Sequence, residues 1–294
     1  MPGSAYTGRF APTPSGRLHF GSVIVCLGAF LRARSLNGRL LLRIDDLDRP
    51  RCPPGMDRTL ISELHTLGFE FDGATVYESQ RLEYYQSLCH RLKHSGRAFY
   101  CTCTRAALKA RPCECFKRPA PLSPRPQGSL RFLPPKERVE NFEDELAGWV
   151  QAPPVRGFLC LRRADGVFAY NLASVGDDLK DKVSEVVRGR DLLETTPGQI
   201  ALCRALGQPE PRYLHLPLAL NARQDKLSKQ NHAPAVLERA APAEVLLQAL
   251  QFLGQDTTAL DKGMTPKAIL HEACRRFSLT SIPTDDRCAP PQFC

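Results

Sequence analysis

Three short stretches hold residue types that do chemistry. TPSGRLHFGS, residues 13–22, sets His19 two positions before Gly21 where an apolar helical stripe begins. Pro12, Pro14 and Gly16 shape a loop whose main-chain N–H groups, with the dipole of the helix behind them, face an incoming anion. His19 can donate to a phosphate oxygen there, although a histidine bonded only within its own helix entry leaves the same pattern. KLSKQ, from Lys226 to Gln230, spaces two lysines three apart after an apolar run. Lys226 and Lys229 can neutralise the charge that builds up as an α-phosphate is attacked and pyrophosphate leaves. A solvated basic loop is the plainer use of such a cluster. Finally, Cys101 and Cys103 (CTC) are followed by Cys113 and Cys115 (CEC), and four thiolates in two close pairs can close a tetrahedral Zn²⁺ site.

These groups need elements to hold them. SVIVCLGAFLRARSLNG carries a helical stripe, with Ser22 as N-cap and Gly38 as stop. RLLLRI reads as a strand, and the carboxylates of DDLD follow at its C-terminal end, where open α/β sheets place ligands. Helices are expected over 57–67 and 81–94. VRGFLCLRR and the stretch around GVFAYNLA look strand-like or mixed. In TTPGQIALCRALG the N-cap is Thr196, Pro197 is the first helical residue and Gln199 completes a capping box. YLHLPLAL, Tyr213 to Leu220, is a buried strand. The alternation predicts an α/β fold with a mostly parallel sheet. Residues 116–138, rich in Pro and Arg, read as an irregular insertion. EVLLQALQFLG and PKAILHEACRRF predict two helices in a small terminal module with a frayed tail.

The chain has 294 residues, 43% hydrophobic and 24% charged, which argues for a folded protein of one large or two modest domains. Its formal net charge of +9 favours a polyanionic partner. No window of 18 apolar residues and no signal-like start occur, so a soluble cytoplasmic protein is expected. In that reducing compartment the 12 cysteines suit metal binding or, as for Cys26, Cys160 and Cys203, small core positions better than disulfides.

Together LHFG and KLSKQ resemble the two signature motifs of class I aminoacyl-tRNA synthetases. GRFAPTPSGRLHFGS, RIDDLD, FAYNLA, EVVRGRDL and HLPLALN resemble the glutamate branch of that family and cover most of residues 5–235. Ser22 replaces a histidine and Gln230 a serine of the family pattern. These departures, KLSKQNHAPA and the short C-terminal remainder are similar to the branch's truncated, queuosine-modifying paralogues.

The resemblance implies a Rossmann-like catalytic domain in two halves (1–100 and 156–236), a zinc-containing insertion (101–155) and a helical C-terminal module (237–294). It implies that ATP with Mg²⁺ activates L-glutamate, which passes to queuosine at the wobble position of tRNA(Asp), with a monomer doing this. Charging of a tRNA 3′ end, or a catalytically silent zinc-stabilised RNA-binding module, are the alternatives. Glutamate would be held by Arg9 and Arg188, whose guanidinium forks match carboxylates. Asp45 would hold its ammonium where the family more usually has glutamate, Tyr170 would add a hydroxyl, and Ala11 and Thr13 would line the site. For Arg9, Arg188 and Asp45 a structural ion pair is the other reading. His19, Gly21 and Lys229 would contact ATP. The family's zinc site begins with the same CTC and is commonly completed by a tyrosine and a cysteine; here Cys113 would stand in for the tyrosine. Arg118, Arg125 and Arg131 could meet the tRNA backbone.

Overall fold

The computed structural model describes residues 6–111, 113–117, 128–136, 139–152, 158–227 and 233–294. The chain begins with β1 (Thr7–Phe10), α1 (Phe20–Ser35), β2 (Arg39–Ile44), α2 (Met56–Thr66), β3 (Val76–Tyr77) and α3 (Leu82–His94). There follow β4 (Ala98–Cys101), α4 (Arg105–Ala110), β5 (Ser129–Phe132), β6 (Asn141–Asp144), β7 (Gly148–Gln151) and β8 (Cys160–Arg162). The second half contains α5 (Tyr170–Lys180), β9 (Glu185–Gly189), α6 (Thr196–Ala205), β10 (Arg212–Leu216) and β11 (Ala219–Leu220). It ends with α7 (Pro242–Phe252), α8 (Pro266–Arg275) and β12 (Arg287–Cys288).

β1, β2 and β3 form a parallel sheet in which Thr7 faces Arg39 and Phe10 faces Leu42. A second sheet holds β9, β10 and β6 in parallel, with β7 as its antiparallel edge. The sheets meet where Ser184 N donates to Thr7 O at 2.8 Å and Arg9 Nη1 donates to Val187 O at 3.3 Å. Both contacts advance together along the chain, so β1 and β9 run in one direction. The carboxyl ends of β1, β2, β9 and β10 therefore open on one edge, as the α/β reading anticipates.

α1 covers this sheet, with Phe20, Val23, Ile24, Leu27 and Leu31 fully buried. Gly28 permits the close approach, because a Cβ there would come within 2.4 Å of Leu216 Cδ1. The helix begins earlier than its apolar stripe implies: its N-cap is His19, not Ser22. At the other end Asn37, not Gly38, takes the left-handed conformation (φ 51), while a Cβ on Gly38 would lie 2.6 Å from Tyr6.

Three further expectations are corrected. The helix α5 starts inside the segment read as strand-like, since Ser174, Asp177 and Asp178 on its buried side mask the helical stripe. Part of the stretch expected to be irregular is strand, because Ser129–Phe132 pairs antiparallel with Ala98–Cys101 and then with β8. The helices α7 and α8 form as expected but share one core with α1, α2 and β1. The tail is pinned: Phe293 is fully buried and stacked on Phe20 at 4.8 Å, and β12 pairs with β11. Its partners lie at the far end of the chain, which local pattern does not reveal.

Candidate active site

A cavity of about 620 Å³ opens at the carboxyl edge of the parallel strands. Arg9, Ala11 and Thr13 reach it from β1 and the loop beyond, Asp45 from the end of β2, and Arg188 from β9. Tyr170 enters from the first turn of α5, His19 and Gly21 from the start of α1, and Lys226 from the loop after β11. Residues far apart in sequence thus line one space. Lys229 lies outside the described residues, as do Arg118 and Arg125. Arg131 lies on β5 and donates to the Phe158 carbonyl at 2.9 Å.

His19 uses its ring within the helix entry. Nδ1 accepts from Ser22 N at 3.3 Å, and Nε2 lies 3.0 Å from Ser22 Oγ. With Nδ1 accepting, the proton resides on Nε2 and points to the serine hydroxyl. Ser22, standing where the family pattern has a second histidine, is thus a partner of the first. The loop before it is anchored by Glu63 on α2, which accepts from Leu18 N at 2.8 Å and also from Arg17. Glu63 escapes a sequence reading because nothing local in α2 distinguishes it from Asp57.

Arg188 is buried and held on several sides. Nε donates to His215 Nε2 at 3.0 Å, Nη1 to Gln199 Oε1 at 2.7 Å and Nη2 to Thr196 Oγ1 at 2.7 Å. Its guanidinium also lies over the Tyr213 ring at 5.3 Å. Nη2 also donates to Leu192 O at 3.5 Å, so four of the five guanidinium N–H donors are engaged and one stays open toward the cavity. The residues expected to form a capping box are spent here. Thr196 is the first residue of α6 rather than its cap, Thr195 is the N-cap, and Gln199 is buried against Arg188.

Arg9 and Asp45 belong to a buried ionic network as well as to the cavity wall. Arg9 Nε lies 3.0 Å from Asp178 Oδ1, and Arg43 bridges Asp178 and Asp45, each at 2.8 Å. Burial pushes the Asp178 carboxyl up, but Arg9 and Arg43 outweigh it and hold it below the ordinary range. For Asp45 burial wins over Arg43 and the carboxyl is raised. The ion-pair reading of Arg9 and Asp45 therefore applies, and Arg43 and Asp178 fix two side chains that also line the cavity. Such pairs cost desolvation, so their use is orientation rather than stability. Lys226 donates to Asp191, which also lines the cavity.

Cys101, Cys103, Cys113 and Cys115 place their Sγ atoms within 4.8 Å of one another. Sγ–Sγ separations are 3.5 Å (Cys101 to Cys113), 3.9 Å (Cys103 to Cys113) and 3.6 Å (Cys103 to Cys115). Zn–S bonds of ~2.3 Å at a tetrahedral angle put sulfurs ~3.8 Å apart, so the four fit a zinc ion. The Thr102 N–H brings Cys115 down to about 7, while burial pushes Cys113 up to about 12. Three of the four are buried in a small cluster of their own beside Phe99 and Phe158.

The model for tRNA synthetases class I (E and Q), catalytic domain, matches residues 6–128 and 124–273. The chain is 43% identical over 285 residues to a glutamyl-Q tRNA(Asp) synthetase of Escherichia coli O157:H7, spanning 96% of this chain and 92% of that protein. It is 42% identical to the glutamyl-Q tRNA(Asp) synthetase of Yersinia pestis over 291 residues, 97% of this chain and 89% of the other. A glutamate tRNA ligase from Elizabethkingia meningosepticum, solved in complex with its amino acid, shares the fold with a TM-score of 0.79 at 22% identity. That match covers 97% of this chain and 67% of the solved one.

Proposed function

The chain belongs to the class I tRNA synthetases of the glutamate and glutamine type, and from that premise we propose that it activates glutamate with ATP and transfers it to queuosine in tRNA(Asp). One observation carries the reading: Arg9, Arg188, Asp45 and the start of α1 line a single cavity. The name shared by relatives at 42–43% identity supports the acceptor.

In the first step a glutamate carboxylate oxygen attacks the α-phosphorus of ATP. The bond to pyrophosphate breaks and glutamyl-adenylate forms. Arg188, through its open N–H and the one it can exchange from the long Leu192 bond, and Arg9 bind the two carboxylates; Asp45 takes the ammonium and Tyr170 adds a hydroxyl contact. Ala11 and Thr13 shape the wall. The start of α1 at Gly21 faces the phosphates, with His19 swinging a donor from Ser22 toward them. Lys226 exchanges Asp191 for pyrophosphate oxygens, and Lys229 joins it as charge develops. ATP enters with Mg²⁺. In the second step a hydroxyl of the cyclopentenediol attacks the anhydride carbonyl, AMP leaves, and the hydroxyl proton passes to solvent. Positioning and charge stabilisation supply the catalysis, and no side-chain nucleophile takes part.

Cys101, Cys103, Cys113 and Cys115 would hold Zn²⁺ as a structural ion, closing a part of the chain whose cluster is otherwise small. A tRNA acceptor suits a cytoplasmic enzyme. No helix among the described residues is long and apolar enough to cross a membrane. The test is glutamate-dependent ATP–pyrophosphate exchange without tRNA, followed by transfer of labelled glutamate to tRNA(Asp) with and without queuosine. Label that requires queuosine is expected. Equal labelling of both at the 3′ end overturns the acceptor, and no exchange overturns the activity.

A further inference from the structure

Behind Arg188 a second layer of polar side chains is built with unusual economy. His215 on β10 is 4% exposed, and its Nε2 accepts the Arg188 Nε–H at 3.0 Å. Its other nitrogen, Nδ1, lies 2.7 Å from Asp144 Oδ2 at the end of β6. An arginine only donates, so Nε2 must carry a lone pair and the proton must sit on Nδ1. Asp144 is suited to receive it. Oδ2 also takes the His215 main-chain N–H at 3.1 Å, and Oδ1 takes those of Leu146 at 3.1 Å and Ala147 at 2.9 Å. Anchored by main-chain donors on both oxygens, this carboxylate is a fixed acceptor, and it sets the tautomer of the imidazole.

We propose that Asp144 and His215 form a positioning dyad that holds Arg188 in its glutamate-binding pose and releases it when His215 gains a proton. The proposal rests on the glutamate activation proposed above. Neither residue lines the cavity, so they act through Arg188. A protonated His215 would set an N–H against the Arg188 N–H and one positive charge beside another, and the guanidinium would have to turn away. Around His215 stand Asp144 on β6, Arg188 on β9, Thr196 Oγ1 on α6 at 3.2 Å, and the stacked ring of Tyr213 at 6.1 Å. Phe142 packs edge-on at 6.4 Å and Asp191 acts at longer range. Burial and Arg188 lower the proton affinity of His215 and outweigh Asp144, leaving it below the ordinary histidine range. The neutral form is thus the resting form, and acid conditions oppose substrate binding.

Glutamate and ATP kinetics of the exchange reaction, measured from pH 5 to 8, separate a positioning role from a merely structural one. Asparagine at 215 is too short to reach Arg188, whereas glutamine brings a carbonyl oxygen to where Nε2 stands and takes up no proton. H215N should raise the glutamate KM about tenfold, the loss of one hydrogen bond to a charged group, and leave the ATP KM within about twofold. H215Q should recover most of that loss, and both variants should lack the wild-type rise in glutamate KM toward the acid end, below the ordinary histidine range. A wild-type glutamate KM in H215N, equal rises in both KM values, or an unchanged acid limb in H215Q overturns the dyad alone. Absence of glutamate-dependent exchange in the wild-type protein overturns the activity and the dyad with it. Should H215N not fold, nitrogen-15 imidazole spectra of the wild-type protein decide: the Nδ1–H tautomer at pH 7 is required, and an Nε2–H or imidazolium signal refutes it.

Discussion

Replacing Phe293 by alanine probes whether the C-terminal tail is part of the catalytic core. The ring is fully buried and stacks on Phe20, the residue after His19, with centroids 4.8 Å apart and planes at 13°. A phenylalanine of this kind hides ~200 Å², and its truncation in a core costs ~3 to 4 kcal/mol once the cavity is included. Unfolding entropy of ~2.1 cal/mol/K per residue amounts to ~0.6 kcal/mol/K for 294 residues, so Tm should fall by about 5 to 7 °C. Alternatively the tail peels away, and β12 then leaves β11 with loss of the Arg287 N to Leu218 O (3.1 Å) and Ala289 N to Leu220 O (2.8 Å) bonds. Leu218 and Ala219 line the cavity, so the second route also raises the ATP KM. Calorimetry and pyrophosphate exchange on F293A read both effects. A Tm within about 1 °C of wild type, well short of the ~3 kcal/mol expected, would refute the reasoning.

Metal analysis should find about one Zn²⁺ per chain, lost in Cys113→Ala and in Cys115→Ala; full zinc content in both variants contradicts the four-cysteine site. Arg188→Lys keeps the charge but loses the fork and its contacts to His215, Gln199 and Thr196. A rise in glutamate KM of at least about tenfold is expected, and an unaltered value counts against Arg188 as the carboxylate ligand. Glu78 is 3% exposed, its Oε1 has no hydrogen-bond partner, and burial with nearby Asp45 pushes its carboxyl up to about 9. The native state therefore holds a proton that the unfolded chain releases, and stability falls as pH rises from about 4.5 toward 9. Glu78→Gln abolishes that slope, so its Tm advantage over wild type should grow between about pH 5 and pH 8.5; a constant difference refutes the assignment.

What the sequence alone determined was local or chemical in kind. The helix stripes of α1, α2, α3, α7 and α8, the strand RLLLRI and the paired cysteines follow from periodicity and spacing, which a linear chain displays directly. The resemblance to the synthetase family, rather than residue type alone, singled out Arg9, Ala11, Thr13, His19, Gly21, Asp45, Tyr170, Arg188 and Lys226, and these line one cavity. Tertiary structure decided what each of those residues is bonded to. Thr196 and Gln199 make a good capping box on paper and instead bind Arg188; His19 rather than Ser22 caps α1; Asp45 and Arg9 are tied through Arg43 and Asp178. A polar side chain in a buried site bonds to whichever partner the packed backbone brings within about 3 Å, and that partner can come from anywhere in the chain. Phe293 on Phe20 and His215 on Asp144 are such meetings, set by the order of the parallel strands and the path of the tail rather than by any neighbour in sequence.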